Sequence, residues 1–385
     1  MSRIRVGMIQ DDWWPRTGGG PVHVRELSKA LVAEYDCKVD VYTRRLAGTD
    51  GKRFTDTEHL ADGDVTVHRL GPCTDYWSPV GRASSLVTPI LPVLRGNHDL
   101  IHGHAFLPAF PTKISSTLAR LPSVFTVHGT ALTLNIRNDP RTLRTLKRRI
   151  ERQFLFGFDY DHVISVNQEH VPLLERFQSN VSCIPNGVDV DRFTVDESKV
   201  DGRIMYLGRL DPKKRISDLI SAFGHIATDY PDTELMIVGE GPEEDKLKKA
   251  AAEMGVADRV TFTGRVEEAD VPRYYASAEL FVLPSAWEGH PLTLLEAWAS
   301  ARPVIASGVD GIAEFVDHLE TGYLVEPGNQ SDLADALRYA LDHPREARGW
   351  GEAGRNRVAQ RFSWERAARR TWRIYERVLG RSDSP

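Results

Sequence analysis

Near the amino terminus the chain reads Arg3-Ile-Arg-Val-Gly-Met-Ile9, then Thr17-Gly-Gly-Gly-Pro-Val-His23 and Val24-Arg-Glu-Leu-Ser-Lys-Ala-Leu31. The first run predicts a strand, whereas the third has the apolar spacing of a helix. Glycines before a helix N-terminus let backbone N–H groups approach a phosphate, whose charge the helix dipole favours. The three runs therefore predict a βα unit whose loop suits a diphosphate; the alternative is a glycine loop that merely turns the chain.

A dinucleotide cofactor fits this loop poorly. The pattern GxGxxG counted from Gly18 requires a third glycine where His23 stands. A ribose-binding acid is expected about 20 residues further on, but Thr43, Arg44 and Arg45 occupy that region. NAD is therefore not expected.

The alternation of short β-branched runs with longer amphipathic stretches continues along the chain and is typical of βα units around parallel sheets. In the first half the predicted strands are 3–9, 38–43, 65–70, 99–104, 123–128, 162–167 and 181–185. In the second half they are 203–210, 234–239, 259–264, 279–284, 303–307 and 322–326. Each set suffices for a doubly wound sheet, and the turn-rich segment Ile184-Pro-Asn-Gly-Val-Asp189 joins the two. We predict an α/β fold of two Rossmann-like domains, residues 1–185 and 186–363.

Composition limits the class of protein and of partner. The 385 residues are 41 % hydrophobic and 27 % charged, which indicates a globular chain of two or three domains. The net charge of −5 makes nucleic acid an unexpected partner. Cys37, Cys73 and Cys183 lie too far apart for a disulfide framework or a CxxC site. No apolar run reaches the about 18 residues of a membrane span and no signal peptide is visible, so we expect a cytoplasmic protein.

Charged side chains follow predicted strands in the second half. At the end of predicted strand 203–210 the chain reads Gly208-Arg209-Leu-Asp-Pro-Lys-Lys214, which supplies a planar guanidinium and a mobile ammonium able to neutralise a departing diphosphate. The segment Pro284-Ser-Ala-Trp-Glu288-Gly-His-Pro-Leu-Thr-Leu-Leu-Glu296 carries one acid in a loop and one inside the next helix. Because ligands of open α/β sheets bind beyond the carboxyl ends of strands, both acids are expected at the mouth of one crevice.

Histidines end two predicted strands of the first half. His128 lies in Phe125-Thr-Val-His128-Gly129, and His102 and His104 end the preceding strand. A lone histidine is more often structural than catalytic, so these residues alone do not establish a site. Because no pair of them has a carboxylate at ligand spacing, we expect a polar floor and no metal site.

Several short motifs occur in order across both halves. They are Gly18-Gly19-x3-His23, Thr126-Val-His128-Gly129, Ile184-Pro-Asn186-Gly-Val-Asp189, Gly208-Arg209-Leu-x3-Lys214, Glu288-x7-Glu296, Gly308-x2-Gly311-x2-Glu314 and Thr321-Gly-Tyr-Leu-Val325. Each motif alone is weak, but the order and spacing are specific. Together they resemble the retaining family-4 glycosyltransferases of the GT-B fold, and the resemblance covers nearly the whole chain.

This resemblance implies two Rossmann-like domains that face each other across a central cleft, with a nucleotide-sugar donor held mostly by the second. It also implies that the final helix, about 364–385, packs back on the first domain. The implied donor-binding residues are Gly18, Gly19, Arg209, Lys214, Val266, Glu288, His290, Leu292 and Glu296.

Individual roles follow from the same resemblance. Arg209 and Lys214 are expected to hold the diphosphate, and Gly18 and Gly19 to close over it from the other domain. Glu296 is expected to take the ribose hydroxyls and Glu288 the hydroxyls of the transferred sugar. The backbone around Arg265 and Val266 is expected to meet the base, and His128 to lie close to the reacting centre. The implied catalytic residues are His128, Arg209, Lys214 and Glu288.

The family implies hexosyl transfer with retention, in which the acceptor attacks on the face of the leaving group and the leaving phosphate helps to take its proton. In the other large glycosyltransferase architecture a DxD motif holds a divalent ion between the sugar and the phosphate. Here that pattern occurs as Asp189-Val-Asp191, which lies in the interdomain turn. We therefore predict a metal-independent reaction with no cofactor besides the donor co-substrate, in which basic side chains and helix N-termini stabilise the leaving phosphate. Departures from the family pattern at Arg215, His290 and Pro291 leave the donor sugar open; uridine and guanosine diphosphate sugars are expected.

An amphipathic helix is predicted over residues 141–152. Arg141, Arg144, Arg148 and Arg152 share one of its faces. The pattern fits either a solvated face or a surface for anionic lipid headgroups. The second interpretation would suit a lipid-linked acceptor and peripheral contact with the inner face of the cell membrane. A saccharide acceptor is equally open.

Two other functions remain open at this point. A sugar-nucleotide epimerase would turn over donor without an acceptor, and the pair Glu288 and Glu296 disfavours it. A catalytically silent GT-B binding module is the second alternative, because a fold does not guarantee chemistry. The presence of His128, Arg209 and Lys214 argues against it.

Overall fold

The computed structural model describes residues 3–13, 18–48, 54–76, 78–129, 157–193 and 200–381. Their contacts divide the chain into two compact units. Unit 1 comprises Met1–Asn186 and Trp364–Pro385, and unit 2 comprises Gly187–Ser363. Unit 1 is therefore formed by two segments that are distant in sequence.

Unit 1 is built on an eight-stranded sheet. Its strands are β1 (Ile4–Gln10), β2 (Cys37–Leu46), β3 (Thr57–Leu60), β4 (Val65–Thr74), β5 (Leu100–His104), β6 (Ser123–Val127), β7 (His162–Ser165) and β8 (Val181–Cys183). Their spatial order is β3-β4-β2-β1-β5-β6-β7-β8, and every pair is parallel except β3 with β4. The predicted parallel sheet is confirmed. The edge strand β3 was not predicted, because Thr-Glu-His-Leu has no run of apolar residues.

Helices cover the sheet of unit 1. They are α1 (Gly19–Glu34), α2 (Pro79–Ser84), α3 (Ile90–Arg95), α4 (Ala109–Ala119), α5 (Val171–Leu174) and α12 (Trp364–Val378). The last of these packs on α1, where the rings of Tyr35 and Trp372 stack with centroids 4.4 Å apart. Buried Tyr375 of α12 shares a 2.6 Å hydrogen bond with Nδ1 of His102, the middle residue of β5. The final helix is thus part of the core of unit 1.

Unit 2 is built on a six-stranded parallel sheet. Its strands are β9 (Arg203–Leu207), β10 (Glu234–Val238), β11 (Val260–Gly264), β12 (Leu280–Leu283), β13 (Val304–Ser307) and β14 (Tyr323–Val325), in the order β11-β10-β9-β12-β13-β14. Its helices are α6 (Ile216–Ile226), α7 (Glu244–Glu253), α8 (Val271–Ser277), α9 (Leu292–Ala299), α10 (Gln330–Asp342) and α11 (Pro344–Arg361). All six predicted strands of this half are present. Their near-continuous apolar sequence reflects a sheet buried on both faces.

Each sheet has a point where the strand order reverses. In unit 1, β1 lies between β2 and β5, and in unit 2, β9 lies between β10 and β12. The loops that leave the carboxyl ends of such neighbouring strands diverge to opposite faces and open a crevice. Residues that follow β1 and β5, or β9 and β12, are therefore brought together.

Buried His98 makes the stability of unit 1 pH-dependent. Burial lowers its pKa to about 4 despite the nearby Asp40 carboxylate, whereas an unfolded histidine has a pKa near 6.5. Between these values the unfolded chain binds the extra proton, so the stability present above pH 6.5 is lost as pH falls towards 4. We expect this residue to account for on the order of 3 kcal/mol of unfolding free energy over that interval.

The measurement is urea unfolding at several pH values, with hydrogen exchange of β2 and β5 reporting on unit 1. Replacing His98 by glutamine should flatten the slope of unfolding free energy against pH by up to about 1.4 kcal/mol per pH unit. His59 is exposed on β3, and His59→Gln serves as the matched control for the substitution itself. Equal slopes in wild type and His98→Gln would contradict this account.

Candidate functional site

The strand reversal of unit 2 brings together the loops that follow β9 and β12. The first loop ends in a short turn, Pro212–Lys214, and the second contains Ser285 and Glu288. Lys214 Nζ donates to Glu288 Oε1 at 2.5 Å, and Ser285 Oγ donates to the same oxygen at 2.6 Å. The backbone N–H of Ala286 donates to the carbonyl oxygen of Lys213 at 2.8 Å. The two loops are thus joined by side chains and by main chain.

The Glu288 carboxylate is buried but held in its charged form. Burial alone would raise its pKa, but the ammonium groups of Lys214 and Lys213 and two hydrogen bonds outweigh burial and lower the pKa below its ordinary value. Lys213 is exposed, and its Nζ lies 5.3 Å from the ring centre of Trp287. The buried Glu288 carboxylate is therefore bonded to one partly buried ammonium, that of Lys214, and lies in the field of a second, exposed one, that of Lys213.

Arg209 lies on the same loop as Lys214. Its Nη2 donates to Asp211 Oδ1 at 2.9 Å, and its carbonyl oxygen accepts from the buried Tyr206 hydroxyl at 2.9 Å. The Arg209 side chain is 29 % exposed. The tyrosine hydroxyl fixes the backbone of Arg209, and Asp211 fixes one side of its guanidinium. The exposed part of the guanidinium is accessible to an anion.

Two glycines allow the backbone segments of this site to approach one another. A Cβ at Gly239, which has φ +133°, would lie 2.0 Å from the carbonyl oxygen of Gly208. A Cβ at Gly311, which has φ +80°, would lie 2.3 Å from the carbonyl oxygen of Gly289. Both positions therefore require glycine for conformation and for space. Gly311 is the second glycine of the motif Gly308-x2-Gly311-x2-Glu314, and this close contact explains why that position is a glycine.

Glu296 lies one turn inside α9, which begins at Leu292. The Tyr275 hydroxyl donates to Glu296 Oε2 at 2.9 Å and contacts the Thr293 carbonyl oxygen at 3.1 Å. Burial raises the pKa of Glu296, opposed by the hydrogen bond from Tyr275. The carboxylate is thus fixed in position by a buried tyrosine of α8 that the sequence analysis did not identify. No sequence motif marks Tyr275.

The remaining predicted donor residues of unit 2 pack against its core. His290 is buried, and its ring meets those of Phe315 and Phe362 with centroids 4.4 and 5.7 Å apart. Val266, just after β11, and Leu292 are partly buried against the same core. The structure brings Lys214 into direct contact with Glu288; the roles assigned to the other residues stay predictions.

The glycine loop of unit 1 forms the start of α1. Gly18 is the extended residue before the helix and Gly19 is its first residue, and the first turn has neither an acidic side chain nor a side-chain cap. A Cβ at Gly19 would meet nothing within 4 Å, whereas one at Gly20 would lie 2.9 Å from Gln10 Nε2. Among the described residues no side chain caps the N–H groups of this first turn, which is the arrangement that suits an anion. A side chain at Gly20 would displace only the end of the Gln10 side chain.

The predicted polar floor of unit 1 is a group of histidine rings. His104 ends β5, His128 follows β6, and His23 of α1 meets both, with ring centroids 5.5 and 4.5 Å away. Burial lowers the pKa of all three, that of His23 to about 4. His102 differs, because its two ring nitrogens bond to the Tyr375 and Thr126 hydroxyls at 2.6 and 2.7 Å. His102 is a structural residue of the core.

Two other predictions concern segments outside this site. Asp189 Oδ1 accepts hydrogen bonds from the backbone N–H groups of Asp191 and Arg192, so the Asp189-Val-Asp191 segment stabilises its own turn. The predicted basic helix 141–152 lies outside the described residues. Within the described ranges, no helix is both long enough and apolar enough to span a membrane.

Two sequence families match successive parts of the chain. The family described as Glycosyltransferase Family 4 matches residues 17–192, and the family described as Glycosyl transferases group 1 matches residues 189–357. Together they span residues 17–357, which is most of both units.

Individual relatives match over nearly full length. The chain is 30 % identical over 392 residues to the GDP-mannose-dependent alpha-(1-6)-phosphatidylinositol monomannoside mannosyltransferase of Mycobacterium tuberculosis, covering 94 % of this chain and 96 % of that protein. It is 27 % identical over 395 residues to the glycogen synthase of the same organism, covering 97 % and 94 %. Among solved structures, sucrose-phosphate synthase from Thermosynechococcus elongatus aligns with a TM-score of 0.84 at 26 % identity, covering 99 % of this chain and 100 % of that chain.

Replacing Gly311 by alanine should destabilise unit 2 by about 2 kcal/mol or more, because the new Cβ meets the Gly289 carbonyl oxygen at a positive φ. Gly349 provides the matched control, since it is an exposed glycine inside α11 with open space at its Cβ position. Gly349→Ala should stabilise by about 0.5–1 kcal/mol. Urea unfolding of the two variants measures both effects, and equal changes would show that the close approach at Gly311 has no energetic weight.

Proposed function

Because the chain belongs to the family-4 glycosyltransferases of the GT-B fold, we propose that it moves a hexose-type sugar from a nucleoside-diphosphate sugar to a saccharide or lipid-linked acceptor, with retention at the anomeric carbon. The observation that carries the proposal is the pairing of Lys214 with Glu288 beside Arg209, at the strand reversal of unit 2. This arrangement combines two cations with a charged carboxylate at the edge of a sheet where ligands bind.

The proposed roles follow from the charge that develops in the reaction. As the bond from the anomeric carbon to the diphosphate oxygen breaks, negative charge accumulates on the phosphate and positive charge on the sugar. Arg209 and Lys214 stabilise the phosphate, which removes the need for a divalent ion there. Glu288, kept ionised by its neighbours, accepts hydrogen bonds from sugar hydroxyls. Glu296 accepts them from the ribose.

Retention requires the acceptor oxygen to bond to the anomeric carbon on the face that the phosphate leaves. In this step the acceptor proton passes to an oxygen of the departing diphosphate, so that no enzymic nucleophile is needed. We assign His128 and the α1 start at Gly18 and Gly19 to this reacting centre. Retaining glycosidases give the same stereochemical outcome by a different mechanism, in which two carboxyl groups act and one of them is the nucleophile.

We propose the donor base and the acceptor only as chemical classes. One mycobacterial relative is named for GDP-mannose and a phosphatidylinositol mannoside, and the other for glycogen, so relatives of similar identity act on a lipid and on a polysaccharide. Contact of residues 141–152 with an anionic membrane belongs to the lipid-linked alternative and stays a prediction. Sedimentation with anionic liposomes at low salt, compared between wild type and a variant with these arginines neutralised, tests it.

The donor site is tested by thermal shift with UDP, GDP, ADP, dTDP and NAD, each with and without magnesium. One nucleoside diphosphate at 100 times its dissociation constant should stabilise the wild type by about 2.7 kcal/mol, equally without magnesium. Arg209→Ala and Lys214→Ala should lose this shift. Their turnover should fall about 100- to 1000-fold, as expected when one preorganised donor to a developing anion is removed.

Lys246→Ala is the matched charge control, because Lys246 is an exposed lysine of α7 whose partner is Glu243. It should bind nucleotide as the wild type does. A shift with NAD alone, or with no nucleotide, would contradict the proposed donor site. Consumption of donor sugar without an acceptor, yielding an epimer, would favour the epimerase alternative instead.

The Tyr275 hydroxyl is predicted to position Glu296 for the ribose. Removing a hydrogen bond to a charged group costs about 1.5–3 kcal/mol, so Tyr275→Phe should weaken nucleoside-diphosphate binding about 10-fold or more while kcat changes less. Tyr230 donates to Asp342 at 2.8 Å on the surface, and Tyr230→Phe should leave both constants unchanged. Steady-state kinetics separates KM from kcat, and a loss confined to kcat would show that Tyr275 acts otherwise.

A further inference from the structure

We propose that the outward side of the final helix, α12, binds the anionic surface of a lipid membrane. This side, called the arginine face below, is formed by Arg366, Arg370, Arg373 and Arg377. It is a different surface from the predicted basic helix 141–152, which lies outside the described residues. The binding itself is independent of the proposed function, whereas its consequence for the acceptor rests on that function.

The four arginines share one side of α12 because they follow one another at intervals of 4, 3 and 4 residues. At 3.6 residues per turn these intervals keep them within an arc of about 60°, and at 1.5 Å per residue the row is about 16 Å long. All four residues are exposed. The opposite side carries buried residues such as Ala368, Thr371 and Tyr375. The helix thus packs its apolar side on unit 1 and presents a row of guanidinium groups to solvent.

The acidic side chains of α12 lie beside the arginine face and not within it. They are Glu365 and Glu376, both placed about a quarter turn away from the centre of the row. This flank faces α1, because the charges of Arg369 and Glu376 both act on the hydroxyl of Tyr35, the residue that ends α1. The carboxylates are therefore turned towards the neighbouring helix, and the row itself stays positively charged.

The guanidinium groups of the arginine face have capacity for an external anion. Within the described ranges, neither Arg373 nor Arg377 forms a hydrogen bond or an ion pair. Arg370 Nη2 donates to the carbonyl oxygen of Cys183 at 2.5 Å, which holds this guanidinium in place while its other N–H groups remain as donors. A guanidinium is weakly hydrated, and its paired donors match the oxygens of a phosphate group. Phospholipid headgroups supply that chemistry in a plane.

A lipid surface fits the arginine face better than a nucleic acid does. Trp364 and Tyr375 of α12 are buried and Trp372 stacks on Tyr35, so the rings of this helix are engaged with protein rather than placed for stacking on bases. The net charge of −5 on the whole chain also disfavours a long polyanion that extends beyond the row. A flat anionic surface meets a straight row along its full length, and each basic residue there strengthens binding about five-fold.

Membrane binding at α12 distinguishes between the two acceptor classes of the proposed function. The helix belongs to the core of unit 1, through the hydrogen bond between Tyr375 and His102. A membrane that binds the arginine face therefore holds unit 1 itself at the lipid surface. A lipid-linked acceptor is displayed at that surface, whereas a soluble saccharide gains nothing from it. The arginine face thus favours the lipid-linked class.

The test is co-sedimentation of the full chain with vesicles of phosphatidylcholine that contain one third phosphatidylglycerol, and with vesicles of phosphatidylcholine alone. The wild type should sediment with the anionic vesicles only. It should be released at about 1 M salt, where screening limits charge interactions to about 3 Å. The double variant Arg373→Gln with Arg377→Gln should bind anionic vesicles about 25-fold more weakly, because half of the row is neutralised.

Arg345 and Arg348 provide the matched control, since both are exposed arginines of α11 in unit 2. The double variant Arg345→Gln with Arg348→Gln removes the same charge and should bind vesicles as the wild type does. Circular dichroism confirms that both variants are folded. Unchanged vesicle binding of the α12 variant, or equal losses in the two variants, would overturn the proposal.

A double-stranded oligonucleotide serves as the competing polyanion. If it binds more tightly than the anionic vesicles at equal phosphate concentration, and the α12 variant loses it, the partner is nucleic acid and the assignment to lipid is wrong. Both double variants should keep the stabilisation by a nucleoside diphosphate, because their arginines lie outside the donor site. Failure of vesicle binding is therefore distinguishable from failure of the proposed donor site.

Discussion

Strand β9 is hydrogen-bonded to β10 on one side and to β12 on the other, and this pairing determines where a site can form in unit 2. The chain moves outward from β9 to one edge of the sheet and returns to add β12 on the other side. The loops after these two strands therefore emerge side by side although Lys214 and Glu288 are 74 residues apart. The same reversal beside β1 gathers the glycine loop and the histidine rings of unit 1.

Burial makes it costly to keep the Glu288 carboxylate charged at this strand reversal. A buried carboxylate without a partner would be strongly destabilising. The Glu288 carboxylate has partners in Lys214, Lys213 and Ser285. The same groups form a site that is already polarised before any ligand arrives. In the proposed reaction an incoming diphosphate would take over ammonium groups that are already held in place, which is the preorganisation on which electrostatic catalysis depends.

Much of this organisation could be predicted from the sequence, because buried parallel strands are recorded as apolar runs and strand-end residues follow them directly. The pairing of Lys214 with Glu288 was predictable in outline for that reason. Tyr275 and the convergence of His23 with His104 and His128 were not, because both depend on contacts between elements distant in sequence. Strand β3 was not predicted because its four residues pair at an edge of the sheet, where no apolar run is required.

The hydrogen bond between His102 and Tyr375 joins residues 273 positions apart, and it has a consequence for how the chain is made. On a ribosome the first 186 residues emerge early, but the helix that covers α1 and satisfies His102 is synthesised last. Unit 2, which is continuous in sequence, separates these two parts of unit 1. The amino-terminal half must therefore wait, with the face of α1 uncovered, for the carboxyl terminus. Unit 1, whose synthesis begins first, is thus completed only by a helix that is made after unit 2.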